Sequence, residues 1–224
     1  VRHVRRVGSA VSPVDLLLHG DAVSATVAWV LLLMSVCSWI VIVWKSWFLY
    51  RGQRALARSV AAFWQAPDWG SAVRTVDAFD GEDLIGPLLR ATQQDCAASL
   101  AGSTARSQQL TRVLRDALHA VVHRLQAGQV VLATVGSTAP FVGLLGTVWG
   151  IYHALLGLSA SAQITVDRLA APVGESLVMT AAGLVVAIPA VLGYNALGRS
   201  VGRMEADLEG FAYDLRELLS KAES

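Results

Sequence analysis

Between Leu125 and Val166 the chain carries no Asp, Glu, Lys or Arg. About 20 apolar residues suffice to cross a bilayer, so this run is long enough to hold a membrane span. The span has an unusual composition. Gly136, Pro140, Gly143, Thr147, Gly150, Ala154 and Gly157 recur at three- and four-residue steps and form one helical stripe. Leu144, Leu145, Val148, Ile151, Tyr152 and Leu155 face elsewhere. A lipid anchor has no use for such a stripe, whereas a helix that packs closely in a bundle, or lines something polar, does.

The rest of the sequence supports a membrane reading. Only 16% of residues are charged, 54% are hydrophobic, and the mean hydropathy is +0.50. Hydropathy places three spans, at 22–44, 130–158 and 176–197. They divide the chain into an N-terminal segment (1–21), a large loop (45–129), a short loop (159–175) and a tail (198–224). The expected fold class is an all-α integral membrane protein with long helical extensions. The first apolar run meets Lys45 and arginines rather than a small-residue cleavage site, so it reads as a span and not as a cleaved signal. Cys37 and Cys96 give no disulfide framework and read as small buried hydrophobes.

Charge distribution sets the expected orientation. Lys45, Arg51, Arg54 and Arg58 follow the first span, Arg112, Arg115 and Arg124 precede the second, and Arg199 and Arg203 follow the third. The loop between spans two and three carries only Arg168. By the positive-inside rule the large loop and the tail are cytoplasmic and the N-terminus is outside. Arg2, Arg5 and Arg6 oppose this, but they lie far enough from the first span for their influence to be weak.

The loop reads as helical. A short helix over 55–65 is stopped by Pro67, and a long one runs from about Leu88 to Gln126 with Leu110, Val113, Leu114, Leu118, Val121 and Leu125 at helical spacing. It continues into the second span without a clear stop. In the tail, Val201, Met204, Leu208, Phe211, Leu215 and Leu218 alternate three- and four-residue steps and define a heptad seam. The seam extends span three as a helix buried against its neighbours.

Nothing in the pattern suggests an enzyme or a cofactor site. There is no metal-spaced His/Cys cluster and no phosphate-binding loop. Ser137 and His153 are separated by about 24 Å of helix and cannot meet within one span, though a meeting between subunits stays open. His153 reads as a subunit contact or an outer-interface residue. In span three, Ser176, Thr180, Gly183 and Ala187 form a second small-residue stripe. Thr147 and Thr180 then have two readings: a polar lining, or hydroxyls bonded to their own backbone beside tightly packed glycines. Glu175 has two as well. It is a functional ionisable group at membrane depth, or an acidic residue meeting the positive end of a helix dipole. No acidic or basic residue occupies the middle of any span, so a proton pathway here needs a titrating group from another chain.

The segments Gly136–Gly150 (GSTAPFVGLLGTVWG) and Pro172–Asn195 (PVGESLVMTAAGLVVAIPAVLGYN) resemble the ExbB/TolQ proton-channel family, with MotA a more distant relative. Within it they are more similar to the ExbB branch than to TolQ. The resemblance spans the whole topology. It implies a homopentameric ring around the helices of an ExbD-like single-span partner whose membrane aspartate supplies the titrating group. It also implies a third component, TonB, and use of the proton motive force to energise transport across the outer membrane. On this resemblance the polar pathway falls on Thr147, Thr180 and Glu175, while the small-residue stripes themselves put helix packing on Gly136, Pro140, Gly143, Gly150 and Gly183. The short segment before Ala22 departs from relatives with a longer extension. A TolQ-type subunit of the Tol-Pal system and a non-conducting scaffold are the alternatives.

Overall fold

The computed structural model describes residues 22–98, 103–159 and 167–221. The described residues form six helices joined by short turns, with no strand among them: α1 (Ala22–Gln65), α2 (Trp69–Phe79), α3 (Gly86–Ala98), α4 (Ser103–Gln126), α5 (Gln129–Ser159) and α6 (Asp167–Lys221). Three of them, α1, α5 and α6, are long and apolar enough to cross a membrane. The N-terminal segment before Ala22 and residues 160–166, which connect α5 to α6, lie outside the described residues.

The chain forms two compact units, one from 22–42 with 131–194 and one from 43–130 with 195–221. The first is a three-helix bundle. Val27 on α1 reaches Gly146 on α5, and Ile42 reaches Gly193 on α6. Residues 136, 143 and 150 of α5 meet 191, 183 and 176 of α6, so those two helices are antiparallel. Outward-facing Trp29, Leu33, Ile40, Phe141, Leu144, Val185 and Leu192 leave large apolar side chains exposed. That surface suits hydrocarbon and not water.

The second unit has its own core of Leu49, Leu56 and Phe63 from α1, Leu84, Ile85 and Leu88 around α3, Val121 and Leu125 from α4, and the α6 seam. Val201, Met204, Leu208, Phe211 and Leu215 are buried as the heptad spacing requires, but Leu218 is 40% exposed, so the seam ends one step earlier than expected. Phe63 and Phe211 meet edge to face at 5.2 Å. Lys45 is buried among these residues at 1% exposure, its Nζ donating to the Arg124 carbonyl at 3.1 Å.

Three expectations for the loop need correction. The 55–65 segment is not a separate short helix but the end of the continuous α1; the stretch from Trp44 to Gln65 holds no Pro, and its one Gly, Gly52, stays helical and faces Met204 closely. Pro67 does stop it, and Asp68 then caps α2 by accepting from the Ser71 amide at 3.0 Å. The 88–126 stretch is two helices, α3 and α4, lying against each other. Finally, α4 does not run into the second span. Gly128 at φ 87 ends it in the left-handed conformation that glycine adopts without strain, and α5 starts afresh at Gln129.

Asp80 organises the turn before α3. It is 8% exposed, and its carboxylate accepts from the amides of Leu84 (2.8 Å), Ile85 (2.7 Å) and Gly86 (2.8 Å). Gly86 opens α3, and its amide is one that a helix start leaves without an intrahelical partner; Leu84 and Ile85 precede it in the turn.

Candidate functional site

The α5–α6 contact is built on absent side chains. A Cβ on Gly143 would lie 2.6 Å from the Met179 carbonyl oxygen, and one on Gly183 would lie 2.6 Å from that of Ala139. Gly136 is closed off by Val191 and Gly150 by the Ser176 hydroxyl. The glycines of both stripes therefore let the two backbones touch, which is how membrane helices gain packing without a hydrophobic driving force. Gly157 is exposed, and a Cβ added there would have open space. Pro140, inside α5, is half-buried on the same stripe.

One turn beyond the Gly143–Gly183 crossing, the structure brings Thr147 and Thr180 together. Thr147 is 5% exposed, and its hydroxyl donates to the Leu144 carbonyl at 2.7 Å while accepting from the Thr180 hydroxyl at 3.3 Å. A turn further on, Ser176 is buried and donates to the Pro172 carbonyl at 2.8 Å. Within one chain, then, Thr147 and Ser176 satisfy their own backbones, and the two threonines are also joined across the helices. A hydroxyl pair does not titrate in the physiological range; it orders hydrogen bonds and accepts a proton donor's bond.

Glu175 is not part of this pair. It is exposed, about 140° around α6 from Thr180 at 100° per residue. It also lies eight residues inside a helix that starts at Asp167, beyond the first turn where a helix dipole acts. The dipole reading of Glu175 is thereby removed. His153 lies against Trp149, ring centres 4.9 Å apart and planes tilted by 40°, and belongs to an aromatic cluster with Tyr152. Ser137, on the same helix, donates to the Thr134 carbonyl. Two residues at the crossing escaped the sequence reading. Val27 and Met179 pack over Gly146; Met179 follows Ser176 by three, so the stripe's period could have included it.

A model of the MotA/TolQ/ExbB proton channel family matches residues 81–210, more than half of the chain. The chain belongs to this family. Its relatives include the biopolymer transport protein ExbB of Xanthomonas campestris pv. campestris, 40% identical over 214 residues, covering 90% of this chain and 83% of the relative. The ExbB protein of Neisseria meningitidis is 38% identical over 219 residues, covering 92% and 96%. The Tol-Pal system protein TolQ of Haemophilus influenzae is 30% identical over 218 residues, covering 92% and 93%. Membership in the MotA/TolQ/ExbB family, with three long apolar helices, makes this a multi-pass inner-membrane protein of channel and energiser type.

Proposed function

We propose that this chain is the ring-forming subunit of an ExbB-type motor, a homopentamer around an ExbD-like single-span partner, which uses the proton motive force to energise TonB-dependent transport across the outer membrane. The observation that carries the reading is a hydroxyl pair, Thr147–Thr180, in spans that hold no charged residue at their centre. Such a site orders a proton path without supplying the titrating group. A carboxyl on a partner helix completes it: protonated, that group donates to a threonine oxygen; ionised, it accepts from a donor. Relatives named ExbB at 38–40% identity over nine-tenths of the chain support the same assignment. Glu175 joins the pathway from its exposed face only where neighbouring subunits enclose it. The large loop and tail then lie in the cytoplasm and the N-terminus in the periplasm.

Copurification followed by reconstitution tests the proposal. A small single-span protein with one membrane aspartate is expected to copurify with this chain, and the pair is expected to carry protons into liposomes. Neither component alone should do so. Absence of flux from the pair would favour a non-conducting scaffold. Rescue of envelope integrity, but not of TonB-dependent uptake, would favour the TolQ role carried by the Haemophilus relative.

A further inference from the structure

The arginines that follow the first span have a structural consequence separate from orientation. Arg51, Arg54 and Arg58 line a cavity of about 400 Å³ together with Trp47, Tyr50 and Glu82. The spacing of the three arginines, i, i+3 and i+7, puts them on one face of α1. Glu82, from the turn before α3, forms the opposite wall and pairs with Arg51 at 3.2 Å. Three guanidiniums thus face one carboxylate, and the cavity keeps a positive balance. The Arg54 guanidinium lies 4.2 Å from the Tyr50 ring centre and that of Arg51 5.9 Å from Trp47, so the aromatic rings hold the cationic ends in place. Arg58 is tied back to the Arg54 carbonyl at 3.0 Å.

The site lies where α1 changes from an uncharged apolar run, ending at Trp44, to a basic segment. Trp44, Trp47 and Tyr50 are all exposed there, as in the aromatic belts at membrane–water interfaces. A basic group next to a span attracts anionic lipid, and guanidiniums bind phosphate in a planar, paired geometry. We infer that this cavity binds the phosphate headgroup of an anionic phospholipid, its acyl chains lying along the apolar face of α1. The arginines thereby anchor the second unit to the headgroup layer. The inference does not depend on the chain conducting protons.

Lipid retention by the purified full-length protein, in its native complex, tests it. The protein is exchanged into detergent with phosphatidylglycerol or phosphatidylcholine at equal concentration, and bound lipid is counted by native mass spectrometry. Wild type should retain phosphatidylglycerol selectively. Arg54→Gln/Arg58→Gln should weaken that retention about thirtyfold, from the usual contribution of two basic residues near a lipid surface. Arg216→Gln/Lys221→Gln, which removes the same charge from the last turns of α6, should change it less than about twofold, because neither residue lines the cavity. A thermal unfolding midpoint equal to wild type shows that either variant is folded. Equal retention by wild type and Arg54→Gln/Arg58→Gln overturns the inference. So does displacement of the lipid by millimolar inorganic phosphate, which would make the site one for free anions.

Discussion

Gly143 and Gly183 approach so closely that a Cβ on either would fall 3.2 Å from the other's Cα. Neither helix has room for a methyl group here, because the nearest atoms are backbone and cannot rotate away. Gly143→Ala and Gly183→Ala should each destabilise the protein by about 1–3 kcal/mol through forced separation of α5 and α6. Gly202 and Gly210, in the tail part of α6, meet nothing within 4 Å. Gly202→Ala and Gly210→Ala should instead stabilise by up to about 1 kcal/mol, from helix propensity alone. Thermal unfolding in detergent measures both pairs. A Gly143→Ala protein as stable as wild type would contradict the backbone contact.

Thr180→Val separates packing from function. It removes the donor to Thr147 but keeps the shape, and Thr147 still bonds the Leu144 carbonyl. The stability cost should stay near 0.6 kcal/mol, a typical value of about that size for side-chain hydrogen bonds between membrane helices. TonB-dependent uptake should fall sharply while the complex still assembles, and Thr147→Val should behave in the same way. Full uptake by both variants would remove the hydroxyl pair from the pathway and leave it a packing feature.

Glu175→Gln makes a different point. The side chain is exposed in the single chain, so its loss of charge should change stability by no more than about 0.5 kcal/mol. Uptake should nevertheless be lost, since the proposed role needs an ionisable group at the enclosed face. Uptake equal to wild type with Glu175→Gln would confine Glu175 to the surface.

How much of this was legible in the sequence differs by segment. The α5 and α6 stripes were legible because helical period and residue size together decide which positions can face a neighbouring backbone; Gly136, Gly143, Gly150 and Gly183 follow from that alone. The loop was legible only in part. Apolar spacing shows that 88–126 is helical, but one face pattern serves a straight helix and a pair of helices equally well. The break before α5 rests on a single residue, Gly128 at positive φ. Asp80 and Lys45 were invisible because their partners are backbone groups, which leave no residue pattern.

Lys45 tests one of those hidden contacts. Its ammonium is buried beside the Phe48 ring, 4.9 Å from the centre, and donates to the Arg124 carbonyl, close to where α4 ends. Lys45→Met keeps most of the volume and removes a charge that burial penalises, so stability should change by about 1 kcal/mol or less. Lys45→Ala opens a cavity and should cost about 2–4 kcal/mol. Both variants remove the charge and only Lys45→Ala removes the volume, so an equal loss in the two would show that the charge, and not the packing, matters at this position.

Asp80 concentrates more hydrogen bonding than any expected site residue. Its two carboxylate oxygens take three backbone amides, those of Leu84, Ile85 and Gly86, in a buried turn. Asp80→Ala strands all three donors away from water and removes the start of α3. A single lost cap costs about 1 kcal/mol, and each buried donor without a partner about 1–3 kcal/mol, so a combined loss of about 3 kcal/mol is expected. Asp80→Asn keeps one acceptor oxygen but turns an amide donor towards amide donors, and should recover less than half of that loss. Asp77→Ala, at an exposed position of α2, should stay within about 0.5 kcal/mol of wild type. Thermal unfolding ranks the three, and limited proteolysis across residues 80–87 locates the damage: cleavage there should rise in Asp80→Ala and not in Asp77→Ala. Equal proteolysis of the two variants would mean that packing of Leu84, Ile85 and Leu88 holds the turn without the carboxylate.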